Sequence, residues 1–430
     1  MQAGDTIMAL SSGALPAGVA VIRLSGPLVR TSLDALAGGV PEPRKMVLRH
    51  IGSERRLDQG LVAFFPAPNS FTGEDCAELH VHGSIAGVKA ILAALGRLGL
   101  RLAEAGEFTR RAFENGKLDL IAVEGLGDLL AADTEKQRQQ ALARYDGRLT
   151  QEVDQWRETL LDLRAEIEAR LDFSDEGDVA ADLPQNWLEN LAELEIAISA
   201  ALASVNSGRI VREGIRVALG GAPNAGKSSL INALAKSDIA IVSEEAGTTR
   251  DVREVPLDID GQKFILLDLA GLRATDSKAE AEGVRRAEKA IADADILLWL
   301  RAPDIADVPR PTSSARLVVV GTKADLGGVD GTDITVSTQT LAGLPDLIGR
   351  LGAIGDSLAG GEPALVSHER DRQSLDSALA ALGETRAALH DWELAAESLR
   401  MASAALERMI GRMGAEQVLD RLFSSFCIGK

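Results

Sequence analysis

Two cysteines in 430 residues, Cys76 and Cys427, cannot build a disulfide framework, and five scattered histidines leave no zinc-type cluster. Aromatic residues are equally scarce, with nine Phe, four Trp and one Tyr making 3% of the chain. Its core must come mainly from Ala, Leu, Ile and Val, which suits helices and parallel sheets and argues against an all-β architecture. No stretch approaches 18 uninterrupted apolar residues, so no membrane span is predicted. Residues 1–26 are apolar, but Asp5 stands where a secretion signal carries Lys or Arg, and no continuous hydrophobic run follows; we read them as strand and turn. The expected location is the cytoplasm. Basic charge is the last deficit: 46 Lys and Arg face 64 Asp and Glu, a net charge of −18, with the acid excess beyond the first 117 residues. Such a surface does not hold a polyanion alone, because phosphate contacts need clustered Lys and Arg. Any nucleic-acid role requires a partner.

A chain this long predicts about two to four domains. Residues 1–117 mix short β-like runs (19–24, 61–65, 77–81) with a helix-like segment at 85–98, an α+β pattern. From 118 to 212 long helical periodicity takes over, as in Trp156, Leu160, Leu163, Ile167 and Leu171, interrupted by an acidic loop at 172–184. Within 213–358, apolar runs at 215–219, 264–267, 296–300, 317–320 and 334–336 alternate with helical stretches, the signature of a doubly wound parallel sheet. Helical periodicity returns over 359–430. The expected fold is therefore multidomain: an α+β N-terminal domain, an all-α domain in two halves, and an α/β domain inserted between those halves.

The strongest motif is Gly221-Ala222-Pro223-Asn224-Ala225-Gly226-Lys227-Ser228, directly after the run 215–219. It fits the phosphate-binding G-x-x-x-x-G-K-[ST] loop, whose backbone N–H groups wrap a β-phosphate while Lys227 reaches the β/γ oxygens. Ser228 then offers a hydroxyl to Mg²⁺ at a helix N-terminus, with Ser229 beside it. Asp268-Leu269-Ala270-Gly271 follows the run 264–267, as a D-x-x-G element beside Mg²⁺ and the γ-phosphate would. Thr322-Lys323-Ala324-Asp325 follows the run 317–320, and its carboxylate can accept both N1–H and the 2-amino group of guanine. Gly247-Thr248-Thr249-Arg250-Asp251 supplies Thr249 as a second Mg²⁺ ligand. Taken in chain order, with 247–251 between the phosphate loop and D-x-x-G, these four elements describe a GTPase domain.

The chain departs from the common pattern at three places. Thr322 replaces the usual Asn of N-K-x-D, where its hydroxyl can still brace the loop, and Leu269 replaces the usual Thr of D-T-A-G. Ser337-Thr338 is the candidate for the last base-binding element. Leu272 stands where Ras-like GTPases carry the Gln that orients water, so hydrolysis must be organised differently. Asn224 can hold a monovalent cation against the phosphates, or simply fill the loop. Glu280 can orient the attacking water, or be one more solvated acid among residues 278–282.

The segments GAPNAGKSS, EEAGTTRD, DLAGLR, SFTGED, GEFTRRAF-x-x-GKLDL and the terminal FCIGK together resemble the MnmE (TrmE) family of tRNA-modification GTPases over essentially the whole chain. That resemblance implies a homodimer with a folate-binding N-terminal domain. It also implies a flavin-dependent partner, MnmG, which carries FAD, forms a heterotetramer or larger complex, and contributes most of the tRNA contact. Together the two install a carboxymethylaminomethyl group at C5 of the wobble uridine of certain tRNAs. The carbon comes from a tetrahydrofolate derivative, 5-formyl or 5,10-methylene. It implies hydrolysis of GTP that depends on K⁺ and on transient pairing of the GTPase domains. By the same resemblance Asn224, Ser243, Glu245 and Thr248 hold K⁺, Ser228 and Thr249 hold Mg²⁺, and Glu280 orients water. Glu244, Ala246 and Gly247 complete the loop around the nucleotide. Arg23, Glu78, Lys117 and Lys430 match the folate contacts; read without the resemblance, all four are surface charges. Cys427 is a candidate nucleophile beside them, or a shielded thiol. Two rivals remain: a GTPase switch that binds ribosomal RNA during subunit assembly, and a folate-dependent one-carbon transferase with a merely regulatory GTPase domain. The first usually carries a basic RNA-binding module, which this acidic chain lacks.

Overall fold

A computed structural model describes residues 4–172, 183–241, 253–268, 289–361, 364–413, 419, 422–423, 426 and 429. The chain divides into two compact units, Met1–Gly127 with Ala404–Lys430, and Asp128–Ser403.

In the first unit, strands β1 (Ile7–Leu10), β2 (Ala17–Ser25), β3 (Val47–Ile51), β4 (Asp58–Phe65), β5 (Cys76–Gly83) and β6 (Arg101–Leu102) form one sheet in the order β3-β4-β5-β2-β1-β6. All neighbours are antiparallel except β1 and β6. Side chains alternate between faces with period two. Ile22, Leu24, Phe64 and Leu79 therefore face the helices α1 (Val29–Ala37) and α2 (Ile85–Arg97), meeting Leu33, Ile91 and Leu95 in the core. Ser84 caps α2 by accepting the Gly87 N–H. The other face carries Arg23 and Glu78, which sit directly opposite each other across β2 and β5. At the β1 side of that face, Phe108 of α3 (Glu107–Glu114) packs on Ile7, Ala9, Ala103 and Phe71. Strand β3 was not anticipated because Leu48 and His50 point to solvent and no apolar run marks it. Leu120 and Val123 of α4 (Leu120–Ala131) bury Leu419, Phe423 and Phe426 from the C-terminal segment.

The second unit opens with helices α5 (Glu135–Tyr145), α6 (Arg148–Asp172), α7 (Trp187–Ala203) and α8 (Val205–Glu213). The expected stripe on α6 is present, but its last member differs. Arg170 is buried and pairs with Glu166 at 2.8 Å, while Leu171 stays half-buried. Arg's long apolar stem fills the position and its head returns to the helix surface. An 18-residue window within Trp187–Glu213 has a mean hydropathy of 1.2, long and apolar enough to cross a bilayer by length and composition alone. Trp187, Leu191, Leu194 and Ile198 are instead buried within the unit, and the Trp187 indole N–H donates to Leu163 O at 3.0 Å.

Next come β7 (Ile215–Gly221), α9 (Lys227–Ala235), β8 (Arg253–Ile259), β9 (Gln262–Asp268), β10 (Ile296–Arg301), β11 (Arg316–Gly321), β12 (Ile334–Thr335) and α10 (Leu344–Ala359). The sheet order is β12-β11-β10-β7-β9-β8, parallel except for β8 against β9. The sequence reading of a parallel sheet missed β8. Glu254, Pro256 and Asp258 break its apolar run, and Pro256 is tolerated because the strand lies at the sheet edge. Helices α11 (Glu369–Ala387) and α12 (Trp392–Met409) follow.

Helix α5 ties together the two chain connections that flank this sheet. The Gln137 side chain donates to Arg212 O, and the Gln140 side chain donates to both Gly208 O and Ala364 O. Arg144 donates to Leu365 O and to Asp371. Lys136–Asp356 and Lys263–Asp133, each at 2.6 Å, add two ion pairs across the same junction.

Candidate functional site

Parallel strands leave their C-terminal ends on one edge of the sheet, which is where such folds bind ligands. Cross-strand register places Gly221 beside Leu300, Arg301 beside Gly321, and Gly321 beside Thr335. The segments after β7, β9, β11 and β12 therefore share that edge. Gly221 has φ 132°, and a Cβ there would lie 2.3 Å from Leu300 O, so the loop can leave the strand only as glycine. Gly226 (φ 92°) precedes α9, and the first turn of that helix presents its unpaired N–H groups and positive dipole end.

Lys227 Nζ donates to Gly221 O and Ala222 O, each at 2.8 Å, folding back across the loop. Ser228, Ser229 and Asn224 are exposed, while Ala225 is buried against the core. Asn224 has φ 63°, a left-handed conformation that Asn tolerates better than most side chains, so the backbone alone favours this residue type. Its amide and the Ser228 hydroxyl supply neutral oxygens, the donor chemistry that hard cations take alongside phosphate. Among the described residues no group of three or more His, Cys, Asp or Glu is placed to hold a metal.

Thr322 is 2% exposed and its Oγ1 lies 2.7 Å from Ala225 O and 3.1 Å from Arg301 O, a brace between the end of the phosphate loop and the sheet. Lys323 (φ 53°) pairs with Asp304 at 2.7 Å, and burying neither group, this pair holds the Asp304 carboxyl below its ordinary range. Asp325 is exposed, and its Oδ1 accepts from the Ser337 hydroxyl at 2.5 Å. Ala324 N–H donates to Val336 O at 3.2 Å, which holds segments 322–325 and 336–338 side by side. Asp268 ends β9. Ser243, Glu244, Glu245, Ala246, Gly247, Thr248, Thr249, Leu269, Ala270, Gly271 and Glu280 lie outside the described residues.

The first unit holds a cavity of ≈ 570 Å³, of the size that takes a small organic ligand, lined by Arg23, Arg44, Phe65, Asn69, Ser70, Phe71, Cys76 and Glu78. Arg23 donates through Nε and Nη2 to Glu78 Oε1 at 3.2 and 3.0 Å, and His80 Nε2 lies 3.1 Å from Glu78 Oε2. The Arg23 guanidinium also stands 5.6 Å from the Phe71 ring centre and 5.8 Å from that of Phe108. One wall thus pairs a cation, a carboxylate and an aromatic face. Lys117 is not among the lining residues. Its stem packs on Gly73, where a Cβ would come within 3.3 Å of Cε, two residues from Phe71. Cys427 and Lys430 lie outside the described residues. Their neighbour Gly429 accepts from Ser11 Oγ at 2.9 Å, at the end of the β1–β2 pair that carries Arg23.

Sequence reasoning missed the support beneath this cavity. Arg111, 5% exposed, donates to Asp5 at 2.6 Å, Glu74 at 3.0 Å and Glu107 at 3.1 Å, while Arg101 donates to Asp5 and Glu107 at 2.5 Å each. Burial pushes the Asp5 and Glu107 carboxyls up, but these guanidiniums outweigh it and hold both below the usual carboxylate range. Glu74 also accepts from Ser25 Oγ at 2.6 Å, and Asn115 donates to Thr72 O at 2.7 Å, so the 70–74 segment is fixed from three sides. The only trace of this in the sequence is the charge density of SFTGED and GEFTRRAF. Arg44 was likewise invisible, since it reaches the cavity from a loop with φ 62°, donating to Asn69 O and standing 6.0 Å from the Phe65 ring centre.

Comparison with known proteins covers both units. The model of the MnmE helical domain matches residues 120–427, and that of the GTP-binding protein TrmE N-terminus matches residues 6–117. The tRNA modification GTPase MnmE of Azorhizobium caulinodans is 49% identical over 436 residues, covering 100% of each chain. Its namesake from Rhizobium johnstonii is 49% identical over 439 residues, covering 99% of each. Among solved structures, Era of Aquifex aeolicus bound to GDP·AlF4− is 23% identical, covering 39% of this chain and 66% of its own, with a TM-score of 0.26. The G domain of the T. maritima FeoB iron transporter is 22% identical, covering 32% and 96%, with a TM-score of 0.23. These two partial overlaps carry no argument about function.

Proposed function

The chain belongs to the MnmE family of tRNA modification GTPases, and from that premise we propose that, with the flavin-dependent partner MnmG, it adds a carboxymethylaminomethyl group to C5 of the wobble uridine of certain tRNAs. It is a GTP-binding GTPase, and the finer chemistry is our reading. The observation that carries that reading is the Arg23–Glu78 pair in a ≈ 570 Å³ cavity. A pterin presents amide and amino edges that a carboxylate accepts, and a glutamate tail that cations attract. We assign this cavity to a tetrahydrofolate derivative, 5-formyl or 5,10-methylene, with Arg23, Glu78, Lys117 and Lys430 as its contacts and Cys427 as a candidate nucleophile. The bound folate supplies the one-carbon unit, and FAD belongs to the partner. Residues 1–117 form the folate-binding and dimerisation domain, 118–212 and 359–430 the helical domain, and 213–358 the GTPase domain.

In the GTPase domain Lys227 and the loop N–H groups hold the β- and γ-phosphates, and Ser228 and Thr249 ligate Mg²⁺. Asn224, Ser243, Glu245 and Thr248 hold K⁺, whose positive charge stabilises the phosphoryl oxygens as an arginine finger does elsewhere. Glu280 orients the attacking water, since Leu272 cannot. The chain acts in the cytoplasm as a homodimer within a larger complex with MnmG, through which tRNA is mostly bound.

Mass spectrometry of wobble-uridine nucleosides tests the reading in cells with and without this protein. The C5 modification should vanish on deletion and return with the wild type. Neither Glu280→Ala nor Glu78→Ala should restore it. Unchanged nucleosides on deletion would move the assignment to a GTPase of ribosome assembly.

A further inference from the structure

We propose that this chain recognises guanine without a hydrogen bond to the base's N7, because Thr322 commits its only proton to the phosphate-binding loop. The proposal rests on reading residues 322–325 as the guanine-binding segment, and it deepens that reading.

An Asn at this position would bring two N–H donors and a carbonyl, enough to brace the loop and still reach the base. A Thr hydroxyl has one proton. In this chain Oγ1 sits 2.7 Å from Ala225 O and 3.1 Å from Arg301 O, and both partners are acceptors only. The proton is therefore directed into the protein. Thr322 is 2% exposed, and a Cβ on Gly226 would come only 3.6 Å from it, so the side chain is held against the loop and away from solvent. What Oγ1 still offers is lone-pair density, and N7 and O6 of guanine are acceptors as well. Two acceptors form no bond. The remaining side-chain recognition falls on N1–H and the 2-amino group, which Asp325 can accept while Ser337 holds one of its oxygens at 2.5 Å.

It follows that replacing N7 by C–H should cost this protein almost nothing. Isothermal titration of the full chain with GDP and 7-deaza-GDP, both with Mg²⁺, should give dissociation constants within about twofold. Thr322→Asn restores the spare donors and should then prefer GDP over 7-deaza-GDP by about three- to tenfold, the worth of one hydrogen bond. Should that variant fail to fold, two others carry the test. Thr322→Ser keeps the hydroxyl and both affinities, and Thr322→Val removes the brace and weakens both nucleotides by the same factor. A wild type that loses tenfold on 7-deaza-GDP, or a Thr322→Val chain that weakens GDP alone, overturns the proposal. Failure of the underlying reading shows separately: Asp325→Asn should shift preference toward xanthosine diphosphate, and an unchanged preference for GDP would remove residues 322–325 from base recognition altogether.

Discussion

Arg144 and Asp371 form an ion pair with neither side chain exposed, Nη1 to Oδ2 2.8 Å, between helices α5 and α11. Arg144 also donates to Leu365 O, so the pair fastens the chain where it leaves the nucleotide-binding sheet. Asp371 also accepts from Arg370 Nη2 at 3.2 Å, so taking away Arg144 leaves the buried carboxylate with one guanidinium in place of two, in a medium that solvates it poorly. Arg144→Met should destabilise the second unit in urea unfolding by up to about 3 kcal/mol, less than a fully orphaned charge would cost because Arg370 stays. Arg144→Met with Asp371→Leu should recover part of that loss. No recovery in the double variant would mean that the Leu365 contact, not the charge pair, is what matters.

The Asp5, Glu107 and Arg111 network ties stability to pH. Both carboxyls titrate below their ordinary range in the folded chain. Their contribution is complete above the unfolded value of about 4 and is lost as pH falls from there through the folded values. Thermal melts of the wild type should therefore hold steady from neutral pH down to about 5 and drop below about 4. Arg111→Met should lower stability at neutral pH and flatten this acid dependence; a variant with the wild-type acid profile would show that other carboxylates set it.

Glu78 is held on one oxygen by Arg23 and on the other by His80, which presents a fixed carboxylate to the cavity. Glu78→Gln preserves shape but loses the charge and replaces an acceptor with a donor. Binding of 5-formyltetrahydrofolate should weaken by about ten- to a hundredfold, as expected for charge-assisted hydrogen bonds, with the melting temperature little changed. Equal affinity would place the folate elsewhere.

Two roles for Asn224, a left-handed backbone position and a cation ligand, separate experimentally. Gly at this position satisfies φ 63° without any side-chain oxygen. If K⁺ binds there, wild-type turnover rises steeply when Na⁺ is exchanged for K⁺, and Asn224→Gly loses that rise while still binding GDP. Equal wild-type rates in both salts would leave Asn224 with its backbone role alone.

The glycine-bounded loop between β7 and α9 was legible in the chain because its pattern is local. A loop of small residues after an apolar run, then Lys227 and Ser228 at a helix start, needs only neighbouring residues to declare itself. The cavity in the first unit was not legible in this way. Arg23 and Arg44 lie far in sequence from Phe71 and Glu78, and the four come together through strand register and the fixed 70–74 segment. Without the family resemblance, Arg23 and Glu78 read as unrelated surface charges.

Composition and periodicity were sufficient for the order of the main helices and apolar strands, since alternating apolar runs and helical stripes follow from burying one face of each element, but not for the polar edge strands β3 and β8. Which polar groups pair across the interior is a different matter. Arg170 took the buried place expected for Leu171, and β8 escaped notice behind Pro256. The Thr322 hydroxyl braces the loop as its position suggested, but that Ala225 O and Arg301 O are its acceptors only the fold decides. Each of these outcomes depends on a partner brought near by folding. A buried polar group must be satisfied wherever the tertiary structure puts its neighbours, and sequence spacing carries no record of that distance.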